Sequence, residues 1–282
     1  MFERQVYPQR RAADGAMERP YDVAGWTLPL QMGIEVTPVS EMNALAGDQS
    51  LTRISEASDV RRQLSLASEI RSLPRTAGRG GLYRGWTNSM DEGWTRWVFD
   101  HFKVAYKSLR DADLRDGGGA ATAAALRAKY DVIILPSQSE EQIVAGRAAE
   151  KYPLEFTNGI GEAGVAALHA FVEQGGTLIC FDAATQLAVK RFDLPVRNVL
   201  EESARKSFIA LAPSCDWCWT HRTRSRRGLQ NTVNGYFINS RAFEVLDPQR
   251  VRIVARYADR DLLQSGWLLG EQHIAGSPHF WR

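Results

Sequence analysis

Residues 131–136, DVIILP, constrain this chain more than any other stretch. Four consecutive aliphatic residues leave a strand there with no polar face. Such a strand must be covered above and below, the pattern of a parallel strand between layers of helix. The flanks agree with that reading. Upstream, residues 82–86 (LYRGW) are a short apolar run, and Ser89 with Glu92 three positions later is a capping-box pattern ahead of a helix. On that helix Trp94, Trp97, Val98 and Phe102 recur at intervals of three and four, which predicts a core face. Downstream, Val165, Leu168 and Val172 give a second helical stripe that Gly175 and Gly176 end. Residues 177–182 (TLICFD) then read as another buried strand. The expected fold is α/β, an open, mostly parallel sheet of Rossmann or flavodoxin type with helices on both faces.

The first 78 residues lack such a pattern. Residues 1–20 are polar, and residues 21–39 are apolar but cut by Pro29, Gly33 and Pro38, so they are expected to dock as extended chain. Residues 51–73 read as an irregular connector or a short amphipathic helix ending before Pro74. Beyond the glycines at 78, 80 and 81, residues 104–109 are a second strand and 185–192 a helix. Residues 116–125 (DGGGAATAAA) are expected as a solvent-exposed insertion. Val251, Ile253, Ala255 and Tyr257 alternate with polar residues as a half-buried strand does, and residues 262–270 add apolar surface.

A chain of 282 residues, 44% hydrophobic and 24% charged, buries one sizeable core and a second small unit. A net charge of +2 gives no global pull toward nucleic acid or an anionic membrane. No apolar run approaches the roughly 20 residues of a membrane span. The start, MFERQVYPQRR, lacks the apolar centre of a signal peptide, so the chain as written is expected to stay where it is made. Three cysteines do not make a disulfide framework.

Several segments together resemble the carboxy-terminal half of bacterial zinc carboxypeptidase-like metallopeptidases. They are ERQVYPQRR, RPYDVAGWTLPLQMG, LYRGWTNSMDEGWTRWV, YDVIILPSQS, GEAGVAALHAFVEQGGTLICFDAAT, LPVRNVL and LLQSGWLLGEQHIAG. In that family a catalytic zinc domain precedes a domain similar in fold to class I glutamine amidotransferases. The resemblance implies that residues 1–78 are a linker and the remnant of a join, and that residues 79–282 are an amidotransferase-like domain truncated at its carboxyl end. It also implies a missing peptidase domain as partner, zinc as the parent's cofactor, and hydrolysis of peptides from the carboxyl terminus as the parent's reaction. The family's metal site uses an H-x-x-E pair and a distant histidine. Here His101 is followed at the third position by Val104, His169 by Val172, His221 by Arg224 and His273 by Gly276, while His279 lies near the terminus. No catalytic, cofactor-binding or metal-binding residue is therefore assigned to this chain. The alternative is a stand-alone amidotransferase-like hydrolase, or a ligand- or protein-binding α/β module.

Other motifs have ordinary explanations. Gly159, Gly161 and Gly164 spell G-x-G-x-x-G with Asp182 about twenty residues on, but residues 151–158 contain Pro153 and read as a loop where a dinucleotide fingerprint needs a strand. Cys180 lies between Ile179 and Phe181, without the small neighbours of a nucleophile elbow, and reads as a buried structural thiol. His169 flanks an apolar stripe, and Ser89 is a helix cap.

Residues 208–227 (FIALAPSCDWCWTHRTRSRR) fit least. Cys215-x-x-Cys218 with His221 evokes zinc, but a fourth ligand at suitable spacing is lacking; the nearest unused histidine is His273. Arg222, Arg224, Arg226 and Arg227 with Trp217 and Trp219 evoke nucleic acid only weakly. With codons chosen to suit, a reading two nucleotides later gives YCPGSELRLVLDTPHPLAAG, which resembles the family here, and the same shift turns residues 276–282 into LAALLE. The stretch is thus expected to be an out-of-frame patch expelled as an exposed loop.

Overall fold

The computed structural model describes residues 2–3, 13, 38–39, 79–87, 89–116, 119–201, 208–220 and 231–282. The expectations for residues 4–12, 14–37 and 40–78 lie outside the described residues. The described residues between 79 and 195 form one compact unit, and those between 196 and 282 belong to a second.

The first unit contains the parallel sheet. Its strands are β1 (Gly80–Tyr83), β2 (Tyr106–Leu109), β3 (Val132–Leu135) and β4 (Thr177–Cys180), in the order β2-β1-β3-β4. All three pairings are parallel. This is the order of the flavodoxin-like α/β folds. The helices are α1 (Met90–Phe102), α2 (Asp111–Arg115), α3 (Gly119–Lys129), α4 (Glu140–Val144), α5 (Gly161–Glu173) and α6 (Thr185–Arg191). Strand β3 is central. Ile133 and Ile134, which face opposite sides, are both buried, as the unbroken aliphatic run requires. Tyr83, Leu109, Leu114, Leu168 and Phe171 form one core with Ile133.

Three expectations need correction in this unit. Trp94, Trp97, Val98 and Phe102 do lie along one face of α1, but that face is open to solvent, with Trp94 65% and Trp97 56% exposed. The helix turns Glu92 inward instead. Helical spacing shows that a face is apolar; it does not show which face meets the sheet. Residues 119–129 of the supposed exposed insertion form α3, with Thr122, Ala123 and Leu126 buried. Alanine is the best helix former, and its small side chain lets α3 approach α5 closely: a methyl added at Gly119 would stand 3.8 Å from the Ala166 Cβ. Strand β4 is a sheet edge, and its residues 178–180 are half-buried rather than buried, because among the described residues no strand pairs with its outer side.

In the second unit, β6 (Ile209–Trp219) follows β5 (Val196–Asn198), and β7 (Thr232–Tyr236), β8 (Phe243–Val245), β9 (Ile253–Tyr257), β10 (Leu263–Leu269) and β11 (Pro278–Trp281) come after it. Strand β6 pairs antiparallel with β7, β9 and β10, while β9 also pairs with β11 and β5 pairs with β8. A two-residue parallel pairing joins Phe2–Glu3 to Pro38–Val39. Residues 209–219 are therefore the strand that this sheet is built on, contrary to the expelled loop the sequence predicts; Arg222, Arg224, Arg226 and Arg227 lie outside the described residues. The missed signal is alternation: Pro213 and Cys215 are buried, and Trp217 and Trp219 continue the same parity as half-buried residues. Trp217 packs on Trp219 and on His279, and Trp219 packs on Phe280. The written residues 278–281 are thus a paired strand in their own right.

Replacing Ile133 or Ile134 by Asp is expected to destabilise the chain by on the order of 3 kcal/mol or more, each leaving an unpaired charge in a covered sheet. Urea unfolding measures it; one silent substitution would mean that the sheet is covered on one face only. At the start of β3, hydrogen bonding from Arg79, at 2.6 and 3.1 Å, holds exposed Asp131 down at about 2 against an ordinary 3.8. A lowered folded-state value means that the pair favours the fold above about pH 4 and loses that effect as pH falls through about 2. Arg79→Gln should move the Asp131 titration up toward 3.8, as read by carboxyl NMR.

Candidate functional site

A parallel sheet of this order reverses its direction of winding between β1 and β3, and ligands of such sheets bind beyond the carboxyl ends of the strands at that point. Three segments meet there: residues 84–87 with Ser89 after β1, 136–139 after β3, and 181–183 after β4. Short apolar strands stop where turn-forming and polar residues take over, so these segments carry polar side chains by construction.

Ser89 caps α1. Its Oγ accepts from the Glu92 amide at 3.2 Å and donates to the Ser137 carbonyl at 3.3 Å. Buried Gln138 donates from Nε2 to the Thr87 carbonyl at 3.1 Å. The Ser137 hydroxyl donates to Asp182 Oδ2 at 2.9 Å and accepts from the Ala183 amide at 3.4 Å. Three strand ends are thereby stitched together through one serine pair, one glutamine and one aspartate. Asp182 sits at φ +41°, left-handed backbone that non-glycine residues adopt at a cost. It opens, at a sharp elbow two residues after β4, the single turn of 3₁₀ helix (Asp182–Ala184) that leads into α6.

Charge is concentrated beside this stitch. The Glu92 side chain is 7% exposed and faces Arg96 at 3.3 Å and Arg84 at 3.9 Å. Arg110 lies over the Trp86 ring at 4.0 Å and donates to the carbonyls of Arg84 and Gly85, while Trp86 packs edge-on against Phe156. Beneath, the Tyr83 hydroxyl donates to Asp111 at 2.6 Å in a buried pair. Burial pushes both groups up from their ordinary values, the tyrosine further because of the carboxylate beside it.

The residues singled out in the sequence fall as follows. Ser89 is at the switch point as a cap, and Asp182 is there as the elbow. Cys180 precedes the elbow by two residues, packs against the core, and has its thiol pushed up to about 12 by burial. Gly161 opens α5, but the turn before it is 3₁₀ helix rather than a strand. Gly159, at φ +45°, is needed for packing: a Cβ there would lie 2.5 Å from the carbonyls of Ile143 and Val144. His169 is half-exposed, pairs with Glu173 at 3.5 Å and packs edge-on against Phe192. In the other unit Cys215 is buried and its thiol is pushed up to about 12 by burial, with Glu271 and Asp216 adding to it. His221 lies outside the described residues. Among the described residues no three His, Cys, Asp or Glu side chains are grouped to hold a metal. Glu92 drew notice only as part of a cap, and Arg110, Ser137 and Gln138 belong to no motif in the sequence. Their signal was position, immediately after or across from a predicted strand end.

Among solved structures the chain is similar to a protein described as a GMP synthase subunit from Thermoplasma acidophilum, at 10% identity and TM-score 0.38, over 64% of this chain and 73% of that one. It is also similar to a glutamine amidotransferase from Thermotoga maritima, at 11% identity and TM-score 0.41, over 67% and 70%. Likenesses of this size do not bear on what the chain binds. No family model matches the chain, and no curated protein matches it.

Ser137→Ala removes the donor to Asp182 and the acceptor for Ala183 together. A loss of about 1–3 kcal/mol in stability is expected by chemical unfolding, with a smaller loss for Ser137→Thr, which keeps the hydroxyl.

Proposed function

We propose that the α/β unit is an amidotransferase-like binding module, one that holds a polar ligand at the β1/β3 switch point and does no thiol chemistry. Asp182 carries this reading. A thiol hydrolase of this architecture presents its nucleophile on the strained turn after a strand, with a depressed thiol value. Here that turn presents a carboxylate already hydrogen-bonded to Ser137, while the thiol two residues upstream is pushed in the opposite direction. The carboxylates of Glu92 and Asp182, with the hydroxyls of Ser89 and Ser137, suit a ligand bearing hydroxyl or amino groups, and the guanidinium groups of Arg84 and Arg110 suit an acidic one.

Alkylation separates the module from a hydrolase. In the native protein Cys180 should resist iodoacetamide at about pH 7 and react once the chain is unfolded, whereas Asp182→Cys should add a thiol that labels readily in the native state. Glutamine hydrolysis should be absent from the unaltered chain. Rapid native labelling of Cys180, with hydrolysis abolished by Cys180→Ala, would overturn the reading.

A second reading is supported by the resemblance of the quoted segments alone: this unit is the non-catalytic carboxy-terminal part of a zinc carboxypeptidase-like protein whose peptidase domain is its partner. The DNA upstream of the Met1 codon tests it, since an in-frame H-x-x-E pair is expected there.

A further inference from the structure

The second unit carries an open surface groove of about 730 Å³ whose lining is lopsided in charge. Among the described residues, Thr220, Gln249, Arg250, Arg252, Arg256 and Arg282 contribute to its wall, and no Asp or Glu side chain does. Two of the arginines are forced together by the sheet. Arg252 and Arg282 exchange both backbone hydrogen bonds, at 2.7 and 2.9 Å, so they form a directly opposed antiparallel pair with their side chains on the same face. Like charges directly opposed across a ladder are unfavourable. Arg256 is anchored by its own bond to the Gly276 carbonyl at 2.8 Å, and Thr220 is fixed through Oγ1 on the carbonyls of Ile253 and Val254. Among the described residues none of these four arginines pairs with an acid. Elsewhere in the chain some arginines are matched with acids, as with Arg79 and Asp131 or Arg191 with Glu140 and Glu162.

We infer that this groove is a binding site for a small phosphorylated molecule carrying at least two negative charges. Guanidinium forks match phosphate oxygens in pairs, where a lysine would offer a point charge, and among the described residues the wall's basic side chains are all arginine. The volume lies within the range of small-molecule sites and exceeds what a lone phosphate fills. The site lies within one unit and is independent of the switch-point reading.

The probe is inorganic pyrophosphate, titrated calorimetrically into the full chain at low ionic strength, with citrate as the carboxylate comparison. Saturable binding at one site per chain is expected, weakening as salt is raised and tighter than citrate by about tenfold or more. Arg250→Gln with Arg252→Gln should weaken pyrophosphate binding at least about tenfold while leaving the ligand-free melting temperature unchanged or higher, because the repulsion is relieved. Arg250→Gln alone, at an exposed position, serves if the double variant folds poorly, and should weaken binding severalfold. Absence of saturable heat, equal or tighter binding of citrate, or unchanged affinity in the variants would each overturn the assignment.

Discussion

Everything in the α/β unit depends on β3 being covered on both sides. A strand with four aliphatic residues in succession has no face that water can wet, and its backbone must pair on both edges, with β1 and with β4. Parallel pairing in turn demands a crossover between successive strands, and crossovers bring the helices that do the covering. The sheet order, the helical layers and the place where the strand ends open all descend from that requirement. Polar residues follow because a strand that is apolar for its full length can change character only at its ends.

That chain of consequences is legible in the residues alone, since it rests on local period and on glycine, proline and capping residues. The strands at 106–109, 132–135 and 177–180 and the helices at 90–102, 161–173 and 185–191 are all visible in this way, while the first strand is Gly80–Tyr83 and so begins on the glycines and ends earlier than the apolar run 82–86 suggests. What is not legible has long-range causes. Whether the apolar side of α1 meets the sheet depends on which turn of the helix lands there, and Glu92 landed. Whether DGGGAATAAA is loop or helix depends on α5 being close enough to reward small side chains. The strand at 209–219 is obscured by its polar neighbours: arginines nearby in sequence draw attention from the alternation of Pro213, Cys215, Trp217 and Trp219.

The candidate site is half legible. Ser89 declares itself as a cap, and Cys180 as an unsuitable nucleophile. The role of Asp182 requires the backbone, because a left-handed aspartate two residues after a strand cannot be told from an ordinary turn aspartate by its letter. Ser137 and Gln138 acquire their meaning only when β1, β3 and β4 are laid side by side. The arginine groove is wholly invisible in the sequence, since Arg252 and Arg282 are far apart along the chain and meet only through the pairing of β9 with β11.

The outward face of α1 has an optical consequence. The chain has eight tryptophans, and two of them, Trp94 and Trp97, are already more than half in water in the native state. Their emission is that of a hydrated indole before any unfolding begins, so loss of the parallel sheet changes their colour little. Trp217 and Trp267 are packed in the other unit, and their emission is expected to shift when that unit unfolds. Among the described tryptophans, Trp86, held between Arg110 and Phe156, is thus the indole whose emission reports on the α/β unit, while Trp217 and Trp267 report on the antiparallel sheet.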